Sequence, residues 1–207
     1  MAISGSTETR VFQFPVIHSW KNIIFLDVDG VLNCQLFYTA RYNHLTRHDN
    51  IPLYKVVKKH LKKLVKRKEI SRMEYYKSEM CPDRMSWLNE LCEETNSVVV
   101  LSASMRSSWN VLTLNRIFQY CGATFTIIDK TPRTGYERGT DISLWLKDNC
   151  MKWFGVNYYD FYRYAIIDDD SDMLLNQQNH FFHCDNYSGL TPNTTYKIKR
   201  YFTHETF

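Results

Sequence analysis

The segment that most constrains the fold is a short apolar run that ends in two closely spaced acidic residues. Residues 23–26 read Ile-Ile-Phe-Leu, and Asp27, Asp29 and Gly30 follow almost directly. Such a run predicts a buried strand, and the glycine permits a sharp turn after it. Carboxylates at the end of a buried strand are costly unless a cation or hydrogen bonds compensate for the lost water. The alternative is a turn whose two acids are solvated and cap the segment that follows.

Further apolar runs alternate with helical patterns, which is typical of an α/β fold with a parallel sheet. We predict five strands, at residues 23–27, 98–102, 124–128, 164–168 and 181–184. We predict core helices at residues 83–94, 109–120, 141–154 and 171–177, and a last helix that Thr191-Pro192 opens and that runs through Arg200. Ser108 and Thr140 are the predicted N-caps of the second and third of these helices.

Residues 34–80 interrupt this alternation and form a basic block. We predict that residues 1–33 and 81–207 make the core and that residues 34–80 make a cap with helices at 54–68 and 72–79. The block holds twelve Lys and Arg against four Asp and Glu, a net charge of +8 (12 − 4), whereas the whole chain carries +4. An insertion after the first strand of a parallel sheet lies at the carboxyl edge, where ligands bind. The charge asymmetry therefore favours a polyanionic partner.

The run at 164–167 also ends in acids, since Asp168, Asp169 and Asp170 follow it. Like charges at this density repel, so a hard divalent cation would stabilise them. The alternative is a solvated acidic turn that caps a helix.

The run at 98–101 ends in Ser102, and Arg106 follows near the predicted start of the next helix. A hydroxyl, backbone N–H groups and a guanidinium together can bind phosphate, although a simple helix cap is the alternative. A second arginine, Arg138, stands just before the predicted helix at 141–154 and indicates little alone.

Together these four segments resemble the haloacid dehalogenase-like (HAD) superfamily. The pattern of that superfamily is Asp-x-Asp-Gly, a Ser or Thr that ends a strand, a lone Lys or Arg, and an acidic pair after the fourth strand. Here the pattern is carried in order by Asp27 and Asp29, Ser102, Arg138, and Asp168 with Asp169. The resemblance covers residue 21 to about residue 203, apart from the insertion. Segments 101–106, 138–146 and 189–191 are also similar to a phage and bacterial group associated with RNA-repair proteins.

The resemblance implies a Rossmann-like parallel sheet of about five strands, in which the first and fourth strands are neighbours. It implies that Asp27 is a nucleophile that forms an aspartyl-phosphate and that Asp29 is the general acid and base. It also implies a Mg²⁺ ion held by Asp27, the backbone carbonyl of Asp29, and Asp168, with Asp169 acting through water or orienting its neighbour.

The resemblance further implies that Ser102 and Arg138 hold the oxygens of the phosphoryl group. The superfamily's basic residue often has a slightly different offset from its helix. Arg106, Lys130 and Arg133 are therefore alternatives to Arg138.

The helix predicted at 54–68 has one apolar face, while lysines fill the other faces and no acid is present. A solvated amphipathic helix explains part of this pattern. The excess of cations beside a phosphate site also favours contact with RNA or DNA. The residues predicted to make that contact are Lys58, Lys59, Lys62 and Lys63.

The sequence therefore predicts a Mg²⁺-dependent phosphatase of nucleic-acid terminal phosphates or of nucleotides. One alternative is a phosphatase of small metabolites such as sugar phosphates, in which a basic lid merely attracts anions. The other alternative is a non-catalytic scaffold that binds nucleic acid, which would require the loss of a carboxylate that this sequence retains.

Several features exclude other classes of protein. The chain has no run of eighteen apolar residues, which predicts no membrane span, and residues 1–10 lack the pattern of a secretion signal. The six cysteines are far apart and predict free thiols in a reducing compartment, hence a cytoplasmic location. A zinc site from His180, His183 and Cys184 is disfavoured because strand alternation points neighbours to opposite faces.

Overall fold

The computed structural model describes residues 21–45 and 51–203. Within these residues a five-stranded sheet has the order β3-β2-β1-β4-β5, and every pair of neighbours is parallel. The strands are β1 (Asn22–Leu26), β2 (Ser97–Leu101), β3 (Ile127–Lys130), β4 (Tyr164–Asp168) and β5 (Phe181–His183). The predicted α/β class and the pairing of the first strand with the fourth are confirmed.

Helices surround this sheet in the described part of the chain. They are α1 (Gln35–Tyr42), α2 (Leu53–Lys66), α3 (Arg72–Glu79), α4 (Pro82–Thr95), α5 (Val111–Tyr120), α6 (Arg138–Phe154) and α7 (Pro192–Thr203). Short 3₁₀ helices lie at Asn43–Leu45, Ser104–Ser107, Tyr158–Asp160 and Leu175–His180. None of the described helices is both long enough and apolar enough to span a membrane. All six cysteines lie in the described residues and are free, as predicted.

Both faces of the sheet are buried. Ile24 and Leu26 of β1 pack in one cluster with residues of α4, α5 and α7, whereas Ile23 and Phe25 pack in a second cluster with residues of α6. Successive side chains of a strand point to opposite faces, so β1 needs apolar residues at every position. Because neighbouring strands are parallel, their carboxyl ends meet at one edge of the sheet. This edge carries the polar residues that follow β1, β2 and β4.

The helices α1, α2 and α3 all lie within residues 34–80, which we call the cap segment. Tyr38 of α1 and Val57 and Leu61 of α2 belong to a third hydrophobic cluster, separate from those of the sheet. At the base of the cap segment the Cys81 N–H donates to the Leu32 carbonyl at 2.9 Å, so its two ends meet. The sequence did not predict α1, whose N-terminus is capped by the thiol of Cys34.

The third strand begins three residues later than predicted and ends in two polar residues. Each has a partner that the sequence does not show. The Asp129 carboxylate accepts a hydrogen bond from the Trp145 indole at 2.9 Å, and the Lys130 ammonium donates to the carbonyls of Arg106 and Trp109. These contacts explain why two residues typical of a turn continue a strand at the edge of the sheet.

The helix predicted at 171–177 is absent from the structure, and a 3₁₀ helix begins only at Leu175. Gly139 packs against this segment so closely that a Cβ there would lie 2.5 Å from the Leu174 nitrogen. The Asp172 carboxylate accepts a hydrogen bond from the Arg138 N–H at 2.9 Å. The segment thus holds the N-terminus of α6 instead of forming a helix of its own.

The two predicted N-caps are also wrong. Asn110, not Ser108, caps α5 by accepting a hydrogen bond from the Thr113 N–H. The helix α6 begins at Arg138 rather than after Thr140, because Asp172 takes the role of an external cap.

Candidate active site

The loop after β1 carries the first pair of acids. The Asp27 N–H donates to the Ile167 carbonyl at 3.0 Å, which extends the pairing of β1 with β4 and leaves the Asp27 side chain at the sheet edge. Gly30 has a φ of 78°, and a Cβ at this position would lie 2.2 Å from the Asp169 carboxyl carbon. Both the conformation and the space therefore require glycine here.

Three carboxylates converge where β1 and β4 end. Asp27, Asp168 and Asp169 each offer an oxygen, and these oxygens lie within 4.8 Å of one another. Asp27 and Asp168 are buried, and Asp169 is half-buried. Carboxylate oxygens are the ligands that Mg²⁺ prefers, so this donor set fits a magnesium ion.

Burial and mutual repulsion make these acids hard to ionise. Burial raises the pKa of Asp27 to about 6, although Arg138 opposes the shift. Burial and the neighbouring Asp27 raise the pKa of Asp168 to about 8. The pKa of Asp169 is also raised, first by burial and then by Asp170. A site that disfavours its own negative charge in this way is stabilised by an added cation.

Arg138 lies between the two most buried acids. Its Nη1 is 2.6 Å from Asp27 Oδ1 and 2.8 Å from Asp168 Oδ2, and its Nη2 is 3.4 Å from Asp170 Oδ2. Burial alone would lower the pKa of Arg138, but Asp27 and Asp168 outweigh burial and raise it. The side chain reaches this position because α6 begins at Arg138, with Asp172 holding the backbone N–H.

Arg106 occupies a different place. Its Nη2 is 2.6 Å from Asp141 Oδ2, and its guanidinium also donates to the carbonyls of Ser102 and Pro132. Arg106 therefore fastens the loop after β2 to α6, and protein acceptors already take most of its donors.

The other two basic candidates are engaged elsewhere as well. Lys130 donates to the carbonyls of Arg106 and Trp109, and Arg133 is 3.4 Å from Ser107 Oγ. Of the four basic side chains that the sequence left open, Arg138 is thus the one that contacts Asp27.

Ser102 follows β2 and lies at the same edge of the sheet. Its N–H donates to the Leu26 carbonyl at 2.9 Å, and its side chain is completely buried. The Ser102 hydroxyl has no hydrogen-bond partner within the described residues. A buried hydroxyl without a partner is costly unless a ligand supplies one, and phosphate oxygens accept from hydroxyls.

Asp29 turns away from this group and toward the cap segment. Its carboxylate accepts from Lys58 Nζ at 2.7 Å and from Asn33 Nδ2 at 2.8 Å. Burial lowers the pKa of Lys58, but Asp29 and Glu79 outweigh burial and the net shift is upward. A lysine of α2 is therefore tied directly to the loop after β1.

A cavity of about 670 Å³ lies between the cap segment and the core. Asp29 and Asn33 line its base, next to the edge of the sheet. The residues that line its sides include Lys58, Lys62, Arg72, Tyr75 and Tyr76 from the cap segment, and Met105 and Trp109 from the core.

Only two of the four lysines predicted to contact nucleic acid line this cavity. Lys58 and Lys62 line it, whereas Lys59 and Lys63 are exposed residues that do not. Nothing in the sequence indicated that Arg72 and Trp109 line this cavity. Trp109 looked like the start of a helix, and no local pattern places it opposite α3.

The zinc site that the sequence disfavoured has no support in the described residues. The group of His, Cys, Asp and Glu side chains that lie close enough to share an ion is the aspartate trio. His180 contacts the Tyr164 carbonyl and the Tyr201 hydroxyl, and His183 contacts the Asp169 carbonyl.

A family model described as "HAD domain in Swiss Army Knife RNA repair proteins" matches residues 23–195. This range includes the sheet apart from Asn22, the cap segment and every candidate site residue described above. No curated protein and no solved structure matches the chain significantly.

Proposed function

Since this chain belongs to the family of HAD domains in Swiss Army Knife RNA repair proteins, we propose that it is a Mg²⁺-dependent phosphomonoester hydrolase of nucleic-acid ends or nucleotides. Family membership supports a phosphatase linked to RNA repair. The observation that carries the proposal is the meeting of Asp27, Asp168 and Asp169 with Arg138 at one edge of the sheet.

The proposed reaction has two displacements at phosphorus. In the first, an Asp27 oxygen attacks phosphorus, the ester P–O bond breaks, and the leaving oxygen takes a proton from Asp29. This step forms an aspartyl-phosphate and releases the alcohol. In the second, water attacks phosphorus and gives a proton to Asp29, and the bond to Asp27 breaks. The net reaction consumes one water and yields an alcohol and inorganic phosphate.

Ser102 and Arg138 are the proposed holders of the phosphoryl oxygens. The Ser102 hydroxyl is free to donate to an incoming phosphate. Arg138 contacts the nucleophile in this structure, so a phosphoryl group bound at Asp27 lies within its reach. Arg106 contributes indirectly in this proposal, because it holds the Ser102 loop against α6.

Asp27, Asp168 and Asp169 are the proposed magnesium ligands, together with the backbone carbonyl of Asp29. When bound, Mg²⁺ would neutralise charge on the phosphoryl oxygens. We also propose a cytoplasmic location, which the six free cysteines support.

The test is phosphate release from four kinds of substrate: end-phosphorylated oligonucleotides, mononucleotides, sugar phosphates and p-nitrophenyl phosphate. We expect release that needs Mg²⁺, that is inhibited by Ca²⁺, and that Asp27→Asn abolishes. Asp148→Asn is the matched control, because Asp148 is an exposed residue of α6. Full activity in excess chelator, or in the Asp27→Asn protein, would refute the mechanism. A clear preference for sugar phosphates would favour a metabolite phosphatase instead.

A further inference from the structure

We propose that the cavity between the cap segment and the core binds the single nucleoside that carries the scissile phosphate. In this proposal the nucleobase lies against Tyr76 and Trp109, and a neighbouring phosphate lies beside Lys62 and Arg72. The inference rests on the proposed phosphatase function, which it extends to a terminal-nucleotide substrate.

The proposed general acid lies at the cavity, and the proposed nucleophile does not. Asp29 lines the base of the cavity, whereas Asp27 and Asp168 do not. A general acid must lie within hydrogen-bond reach of the leaving oxygen. The group attached to that oxygen therefore extends from Asp29 into the cavity, and the phosphoryl group stays at the edge of the sheet.

The size of the cavity suits a single nucleoside. A cavity of about 670 Å³ is in the range of small-molecule sites, which is ~300–1,000 Å³. It suits one nucleoside with one or two phosphates and is too small for a long stretch of nucleic acid. The rest of an oligonucleotide would leave the protein past the exposed rim.

Two aromatic side chains form one wall of the cavity. The Trp109 indole N–H donates to the Tyr76 hydroxyl at 2.8 Å, and the ring centroids are 6.5 Å apart at an angle of 78°. This contact joins the core to α3 and holds the two rings in place before any ligand binds. Bases of every identity stack on aromatic side chains. A sugar phosphate offers no flat face to such a wall.

Two cationic side chains lie at the rim of the cavity. Lys62 and Arg72 are exposed, line the cavity, and form no ion pair within the described residues. The Arg72 guanidinium lies over one face of the Trp109 ring, 5.8 Å from its centroid, which leaves the other face for a base. Lys62 lies one helical turn from Lys58 on the same face of α2. Lys58 is already held by Asp29, so Lys62 and Arg72 are the cations left to contact a second phosphate.

The first test is a substrate series with matched ends. It compares ribose 5-phosphate, nucleoside monophosphates, dinucleotides and decanucleotides, with the terminal phosphate at the 5′ or the 3′ end. We expect kcat/KM to rise about tenfold or more from ribose 5-phosphate to the mononucleotide, because stacking is gained. It should rise again at the dinucleotide and then change less than about threefold with length. Equal rates on the first two substrates, or a continued rise with length, would overturn the proposal.

The second test removes the rim cations. The double substitution Lys62→Gln with Arg72→Gln should lower the ratio of kcat/KM on the dinucleotide to that on p-nitrophenyl phosphate by about tenfold or more. Lys66→Gln with Arg67→Gln is the control, because it removes the same charge from exposed residues of the cap segment outside the cavity. Equal effects of the two pairs would mean general attraction of anions, and the cavity assignment would fall.

A binding measurement separates this proposal from the proposed function. Calorimetry with the Asp27→Asn protein and a nucleoside 3′,5′-bisphosphate should show binding that Lys62→Gln with Arg72→Gln weakens about tenfold or more. Trp109→Leu, which keeps an apolar side chain, should weaken it similarly. If this binding were found but the unsubstituted protein released no phosphate from any substrate, the proposed function alone would be refuted. Activity without this binding would refute the cavity assignment alone.

Discussion

The edge of the sheet and the wall of the cavity differ in charge and in how firmly their side chains are held. At the edge, Asp27 and Asp168 are buried acids fixed by one arginine. At the wall, Lys62 and Arg72 are exposed cations without an ion-pair partner in the described residues. Fixed, desolvated groups suit a chemical step, and exposed side chains suit the selection of a substrate. Substitutions at the edge should therefore change kcat, whereas substitutions at the wall should change KM.

The largest effect is expected at Asp27. In Asp27→Asn the amide cannot act as the attacking carboxylate, so kcat should fall about 10⁴-fold or more. Rates of phosphate release from an end-phosphorylated dinucleotide measure the loss. Circular dichroism of the variant and the parent protein checks that the fold is kept. A change confined to KM would contradict the expectation that substitutions at the edge of the sheet change kcat.

Arg138 comes next. Arg138→Gln should reduce kcat by about 10²–10³-fold, since it removes a charged donor to the phosphoryl oxygens. It also leaves two buried acids without their partner, so the metal-free protein should lose about 3 kcal/mol of stability. Urea unfolding measures the second effect. Arg133→Gln tests the alternative basic residue, and an equal loss there would contradict the assignment of Arg138.

Lys58 belongs to the cap segment but contacts Asp29 in the loop after β1. A substitution of Lys58 therefore tests whether the cap segment contributes to the chemical step. Lys58→Gln should lower kcat about tenfold, because Asp29 loses the charged one of the two donors that orient its carboxylate. Lys59→Gln, one residue along the same helix, should have a smaller effect on kcat. Similar losses at the two lysines would show that α2 acts only through its total charge.

The smallest effect is a dependence of stability on pH. The folded-state pKa values of Asp27 and Asp168, about 6 and about 8, exceed the ordinary value of 3.8. The protonated acids thus contribute stability that is complete below pH 3.8 and is lost as the pH rises through about 6 and then about 8. We expect the Tm of the metal-free protein to fall between about pH 5 and about pH 9, as the two acids ionise.

Two variants of this melting experiment identify the source. Added Mg²⁺ should reduce the fall in Tm, because the ion favours the ionised acids. Asp168→Asn should flatten the dependence on pH. A Tm that rises steadily over the same range would show that these two acids are not hard to ionise.

The edge of the sheet was easier to predict from sequence patterns than the wall of the cavity. The strands β1 and β4 and the acids that follow them are contiguous in sequence, and parallel pairing brings them together. The two arginines differ for reasons that the sequence does not show. Arg106 and Arg138 both lie near a helix start in the sequence. Only the packing of the helices determines that Arg106 pairs with Asp141 and that Arg138 pairs with Asp27.

The cavity wall was harder to predict because its parts come from separate segments. Trp109 meets Tyr76 across 33 positions of the chain, and Asp172 meets the Arg138 N–H across 34. Neither contact follows from a periodic pattern. The basic character of α2 was visible in the sequence, but which of its lysines face the cavity depends on how the helix packs.

The meeting of Leu32 with Cys81 has a consequence for how such a domain can diversify. A segment that leaves and re-enters a fold at one point is a closed loop, and doubling the length of a flexible loop costs only about 0.6 kcal/mol of chain entropy. The segment above that junction can therefore lengthen, shorten or be exchanged with little strain on the strands beneath it. In the proposed mechanism, transplanting another domain's loop between Leu32 and Cys81 would change the choice of substrate, and the reaction would be kept where the new loop also supplies a partner for Asp29.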